Sequence, residues 1–235
     1  MRALAVVPMR GGSKGLPGKN LMKINGEYLV DIVAKTIRTS QKFDTVVCST
    51  DSEAIAKRAL EAGLDVPFLR PAEISGDTVP TSAVISHTLQ FLEDENHLGF
   101  THVFVFQVTS PFVTVDLIKQ AFEIFESDNN VDSVICGTAV SDKYHAYYQF
   151  GIDSGGLVRS AVKGAAPKRR QDLPKRFVRC GNLYATRVPS LKANRSLVSG
   201  NVRAIIVEPQ FSLDIDSAED LKEANERLRK VHGTK

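Results

Sequence analysis

The 235-residue chain has no apolar run near the roughly twenty residues that a membrane-spanning helix needs, so no membrane partner is expected. Its first apolar run is cut short by Arg10 and the glycines behind it, which argues against a secretory leader. Cysteine is scarce. Cys48, Cys136 and Cys180 are widely separated and show neither zinc-ligand spacing nor a disulfide framework, so each is expected to be a small buried residue. Charge of one sign is also lacking: 30 Lys and Arg against 27 Asp and Glu leave a net charge of +3. That is too little for the long-range pull of a nucleic-acid binder, and it fits local basic pockets instead. With 43% hydrophobic and 24% charged residues, a sizeable core is expected and disorder is not. The simplest setting for such a chain is cytoplasmic.

What is present begins at the first residues. The apolar run at 3–7 leads directly into Pro8-Met-Arg-Gly-Gly-Ser-Lys-Gly-Leu-Pro-Gly-Lys-Asn20. A strand emptying into a glycine-rich basic loop is suited to phosphate. Glycines allow close approach of the backbone and turn N–H groups toward an anion, and Arg10, Lys14 and Lys19 add positive charge. The loop fits neither common nucleotide motif. Asn20 follows Gly18-Lys19 where a Walker loop needs Ser or Thr, and Pro17-Gly18 interrupts where a dinucleotide fingerprint would open a helix. An ordinary surface turn is the plain alternative.

Strand and helix patterns then alternate. Strands are expected at 4–7, 45–48, 66–69, 102–106, 133–136 and 203–207, and helices at 29–39, 81–95, 115–126 and 218–231. Ser49-Thr-Asp-Ser52 reads as the cap of a further helix that runs to Ala62 and ends at Gly63. This order predicts an α/β fold, a mostly parallel twisted sheet with helices on both faces. Such sheets bind ligands beyond the carboxyl ends of their strands, where the first loop lies. The whole chain, 1–235, is expected to form a single domain. Residues 141–186 break the rhythm and read as an inserted arm with short antiparallel strands.

Three other groups of residues fall near strand ends. Gln107-Val-Thr-Ser-Pro111 offers Gln107, Thr109 and Ser110 to a sugar or acid, with capping of the next helix as the alternative. Asp214-Ile-Asp216 could share a hydrated magnesium ion, which keeps several waters and takes one or two carboxylates. Helix capping by Asp216 or Ser217 is compatible with that. The segment 167–179 carries Lys168, Arg169, Arg170, Lys175, Arg176 and Arg179 against the single acid Asp172. It is either a solvated face or a site for a carboxylated or phosphorylated ligand.

Together these residues resemble the acylneuraminate cytidylyltransferase family. The similar motifs are Arg10-Gly-Gly-Ser-Lys-Gly-Leu-Pro-Gly-Lys-Asn20, Leu69-Arg-Pro-Ala-Glu73, Gln107-Val-Thr-Ser-Pro111, Arg169-Arg-Gln-Asp-Leu-Pro174 and Asp214-Ile-Asp216, in the family's order. The first and fourth are the specific ones. The resemblance implies a Rossmann-like nucleotidyltransferase fold with a small dimerisation arm, and a homodimer. It also implies transfer of CMP from CTP to the anomeric hydroxyl of a nonulosonic acid (N-acetylneuraminic, legionaminic or pseudaminic), with release of pyrophosphate and with Mg2+ as cofactor. Carried over position by position, Arg10, Gly11, Gly12, Ser13, Lys19, Asn20, Arg70 and Ser82 would bind nucleotide. Lys19 would also act in catalysis. Asp214 and Asp216 would be catalytic and hold the metal. Gln107, Thr109, Ser110, Arg170 and Tyr184 would bind the sugar acid, Arg170 at its carboxylate. If the arm reaches the partner, Arg170 and Tyr184 would act in the neighbouring subunit. One departure is Cys180-Gly-Asn-Leu-Tyr184, where the family often has Asn before the glycine; it bears on the sugar side chain.

Other readings of the same residues are a sugar-1-phosphate nucleotidyltransferase using another NTP, a phosphatase with Asp214 as nucleophile, and a non-catalytic nucleotide sensor.

Overall fold

A computed structural model describes residues 1–12, 16–96, 99–164 and 169–232. The fold is built on β1 (Ala3–Pro8), whose first five residues are fully buried. Strand side chains alternate between faces, and these serve two separate cores. Ala3, Ala5 and Val7 join one cluster; Leu4 and Val6 join the other. Burial on both faces is the reason the run is continuously apolar.

The described elements follow in chain order. A small hairpin, β2 (Lys23–Ile24) and β3 (Glu27–Tyr28), precedes α1 (Leu29–Ser40), β4 (Thr45–Ser49) and α2 (Glu53–Glu61). Next come α3 (Thr81–Asn96), β5 (His102–Val105), α4 (Val115–Ser127) and β6 (Ser133–Ala139). The hairpin β7 (Phe150–Ile152) and β8 (Val158–Ser160) leads to β9 (Phe177–Arg187) and α5 (Val188–Asn194). β10 (Val202–Ile206) and α6 (Ala218–His232) complete the chain. The main sheet has the order β10-β6-β9-β5-β1-β4. β1 runs parallel to β4 and β5, and β10 parallel to β6, while β9 is antiparallel to both β5 and β6.

Helices cover both faces, as expected. α1 and α4 pack on the first core through Val33, Ile37, Ile118 and Phe122, and α3 and α5 pack on the second through Ile85, Leu89 and Leu191. The Phe104 and Phe122 rings stack with centroids 4.6 Å apart. Ser52 caps α2 by accepting from the Ile55 N–H, and Gly63 (φ 81°) follows its end. Thr114 caps α4 in the same way.

Two expectations need correction. Residues 66–69 make no strand; only isolated bridges join Asp65 to Val47 and Leu69 to Thr50. Pro67 lies between them and has no N–H to give to a ladder. Second, residues 177–187 are a long strand in the middle of the main sheet, between β5 and β6. The exposed β7–β8 hairpin is the short antiparallel pair that was expected of the arm.

Candidate active site

The first loop lies where β1 ends, and its two ends are tied together. Buried Asn20 donates from Nδ2 to the Arg10 carbonyl at 2.9 Å. Gly18 (φ 71°) precedes the short turn Lys19–Leu21, a left-handed position that favours glycine. The Gly11 N–H donates to Asp51 Oδ1 at 2.9 Å, and Arg10 forms an ion pair with Asp77. Ser13 lies outside the described residues, as does Lys14.

Asp51 also holds Arg70, with Nη2 at 3.4 Å, while Arg70 Nε donates to Ser75 Oγ at 3.1 Å. Burial lowers the pKa of the Arg70 guanidinium, and Asp51 opposes that shift. Arginine remains charged at neutral pH nonetheless. Arg10, Lys19, Asn20, Arg70, Gln107 and Thr109 all line a cavity of about 270 Å³ beyond the ends of β1 and β5.

The acidic pair reaches this region from far along the chain. Ile215 is fully buried, and its N–H donates to the Thr109 carbonyl at 2.8 Å. That anchor fixes the aspartate on either side. Asp216 Oδ1 accepts from Lys19 Nζ at 2.7 Å, joining the basic loop to the acidic segment. Among the described residues, buried Asp214 Oδ1 and Ser110 Oγ have no hydrogen-bond partner. Ser217 and Asp220 cap α6 reciprocally: the Ser217 N–H donates to Asp220 Oδ2 at 2.8 Å and the Asp220 N–H to Ser217 Oγ at 3.2 Å. Asp216 is therefore left to Lys19.

β9 supplies the floor. Its pairing with β6 jumps from Tyr184 opposite Ile135 to Cys180 opposite Cys136, so Gly181, Asn182 and Leu183 form a bulge. Bulges re-aim side chains beside sites. A Cβ on Gly181 would collide with Gln107 Oε1 and Ser110 Oγ and lie 3.3 Å from Asp214 Oδ2. A side chain there would have to displace Gln107 and Ser110, because three polar side chains converge on that point. Buried Asn182 donates from Nδ2 to the Phe211 carbonyl at 2.8 Å, which ties the bulge to the turn ahead of Asp214.

A second cavity, of about 490 Å³, adjoins the first. Thr81 and Gln107 line both. Ser82, Arg179, Tyr184, Arg195 and the Leu197–Val198 turn complete the second. Burial raises the Tyr184 pKa against the opposing charge of Arg179, so its phenol stays a proton donor.

The structure thus brings together Arg10, Lys19, Asn20, Arg70, Gln107 and Thr109 around one cavity, with Ser110, Asp214 and Asp216 at its floor and edge. Ser82 and Tyr184 face the second cavity. Gly11 is held beside Asp51, and Gly12 is exposed with open space around it. Arg170 lines neither cavity of its own chain; it is exposed and paired with Asp142 at 2.9 Å. Sequence reasoning missed Asp51, Asp77 and Arg195. Asp51 stood inside a run read only as a helix cap, and no local pattern marks the other two. The three cysteines are buried and unbridged. Burial pushes the Cys48 thiol up to about 12; the Cys136 thiol is pushed up by its interaction with the Cys180 thiol and then by burial.

A cytidylyltransferase family profile matches residues 4–224. The chain belongs to that family. Among curated relatives of this cytidylyltransferase, a pseudaminic acid cytidylyltransferase of Campylobacter jejuni is 28% identical over 222 residues, 94% of each chain. A CMP-N,N'-diacetyllegionaminic acid synthase of Legionella pneumophila is 34% identical over 215 residues, 90% of this chain and 83% of that one. A solved CMP:2-keto-3-deoxy-manno-octonic acid synthetase, complexed with CTP, shares the fold with a TM-score of 0.75. Its identity is 15%, covering 98% of this chain and 100% of that one.

Proposed function

We propose that this cytidylyltransferase transfers CMP from CTP to the anomeric hydroxyl of a nonulosonic acid and releases pyrophosphate. The observation that carries this reading is the pair of cavities meeting at Gln107 and Thr81, the first lined by cations and adjoining a buried carboxylate. The names of the relatives, which specify pseudaminic and diacetyllegionaminic acids, favour the same acceptor class.

In the reaction the sugar hydroxyl oxygen forms a bond to the α-phosphorus, the bond from that phosphorus to the bridging oxygen breaks, and the hydroxyl proton is released. Such transfers depend mainly on placement and charge neutralisation. Arg10, Asn20 and Arg70 orient the nucleotide. Lys19, a compact ammonium, offsets charge on the departing pyrophosphate. Gln107, at the shared wall, holds the acceptor toward the α-phosphate.

Asp214 and Asp216 fit a magnesium ion: a buried carboxylate oxygen without a hydrogen-bond partner among the described residues, beside a phosphate cavity, suits a hard cation that takes few carboxylates. When bound, the ion would neutralise phosphate charge. The chain also acts as a homodimer in this reading. Phe150, Ile152 and Val158 on the β7–β8 hairpin are each 60% exposed or more. A second copy of the chain would cover them and place the arm, with Arg170, near the neighbouring site.

The test is mass detection of a CMP-sugar with CTP and magnesium against N-acetylneuraminic, legionaminic, pseudaminic and 3-deoxy-manno-octulosonic acids, with glucosamine-1-phosphate and GTP in parallel. One nonulosonic acid should be converted. Product from the sugar phosphate alone would overturn the acceptor class.

A further inference from the structure

The cations around the first cavity each have a carboxylate from the chain itself. Arg10 pairs with Asp77, Arg70 with Asp51 and Lys19 with Asp216. On the arm, Arg169 pairs with Asp172 and Arg170 with Asp142. Arg179 and Arg195 differ. Both line the second cavity, no Asp or Glu lines it with them, and among the described residues neither guanidinium has a hydrogen-bond or ion-pair partner.

Two like charges around one cavity repel each other until an anion lies between them. Both are exposed at the cavity's rim, on backbone that is fixed. Arg179 stands on β9 just ahead of the bulge at Gly181. Arg195 caps α5, its N–H donating to the Leu191 carbonyl at 2.8 Å. The wall continues as a closed turn, Ser196 Oγ donating to the Val198 carbonyl at 3.0 Å. The remaining lining is mixed: Thr81, Ser82, Gln107 and Ser196 offer hydrogen bonds, and Pro80, Val105, Leu197 and Val198 are apolar, which suits an anionic group carried on a hydroxylated, partly apolar molecule.

We infer that Arg179 and Arg195 form the carboxylate clamp of the acceptor, supplied by the same chain that binds the nucleotide. This rests on the proposed function and deepens it. In a 2-keto sugar acid the carboxylate sits on the anomeric carbon, next to the reacting hydroxyl. The group that holds the acid therefore sets where that oxygen lies relative to Gln107 and the first cavity. Arginine suits the task because its planar fork matches a carboxylate bidentately. Tyr184, a proton donor beside Arg179, adds a neutral contact. Arg170 is not required for the acid group.

The experiment measures KM for CTP and for the nonulosonic acid that the wild type converts best, alongside the C1 amide of that acid. Arg179→Ala and Arg195→Ala should each raise the acid KM about tenfold to a hundredfold, the scale of a charge-assisted hydrogen bond, and leave the CTP KM unchanged. Arg179→Lys should recover only part of the loss. The wild type should prefer the acid to its amide, and the double variant should lose that preference. An unchanged acid KM, an equal rise in both KM values, or loss of the preference in Arg170→Ala alone would overturn the clamp. Wild-type turnover with unaffected variants sinks the clamp alone. Wild-type silence with every acid sinks the acceptor reading and the clamp with it.

Discussion

The two cavities that meet at Gln107 satisfy their charges in opposite ways. In the first, Asp77, Asp51 and Asp216 already neutralise Arg10, Arg70 and Lys19, so the nucleotide side is held in shape by its own ion pairs. In the second, the arginines have no counter-ion among the described residues. A site with internal partners is preorganised, but the ligand must replace them. A site without partners gains its neutrality only from the ligand. The difference suits a flexible polyanion on one side and a compact sugar acid on the other.

The largest effect should come from the point where the two sides converge. Asp214→Asn should cut turnover about a hundredfold or more, by weakening charge stabilisation at the phosphates. Thermal unfolding should stay near the wild-type value. Near-normal turnover with magnesium would remove Asp214 from the reaction.

Next in size is the floor itself. Gly181→Ala should lower kcat/KM with both substrates, since the added methyl collides with Gln107 and Ser110. The overpacking should also cost about 1–3 kcal/mol of stability. Steady-state kinetics and urea unfolding of the variant test this together, and an unaffected variant would mean that Gln107 and Ser110 do not need their present positions.

Disrupting the nucleotide side alone should be smaller and one-sided. Arg70→Ala should raise the CTP KM about tenfold, leave the acid KM unmoved, and cost about 1–3 kcal/mol through the loss of Asp51's partner. Calorimetric titration of CTP and chemical denaturation would show both changes.

The smallest effect lies away from either cavity. Burial lowers the pKa of His102 from 6.5 to about 4. The unfolded chain therefore binds a proton that the folded one refuses within this window. Stability is present in full above about pH 6.5 and is lost as pH falls toward 4. Urea unfolding between pH 7 and 5 should show the decline, and His102→Asn should flatten it.

Much of the frame was legible in the sequence because local chemistry determined it. The double burial of β1 shows as an unbroken apolar run, and Ser52 and Gly63 mark helix ends directly; sequence reasoning missed Thr114, the cap of α4, in favour of 107–111. β9 was hidden because its apolar residues are interrupted by Arg179, Gly181 and Asn182, which belong to the site rather than to the sheet. Residues 66–69 misled in the other direction: the apolar composition is right for a strand and Pro67 forbids its ladder. Within the site, the glycine-rich loop and the Asp214–Asp216 segment announce themselves. Their junction does not, since Lys19 and Asp216 are 197 residues apart and only the fold brings them to 2.7 Å. Arg179 was one cation in a basic cluster, and Arg195 stood in no pattern at all.

The division of labour between the cavities is tested most directly by one pair of kinetic measurements. Pyrophosphate release would be followed for Arg70→Ala and Arg179→Ala, varying CTP and the sugar acid separately. The expected result is a crossed pattern, with Arg70→Ala raising only the CTP KM and Arg179→Ala raising only the acid KM. Parallel changes in both KM values for both variants would contradict two substrate cavities meeting at Gln107.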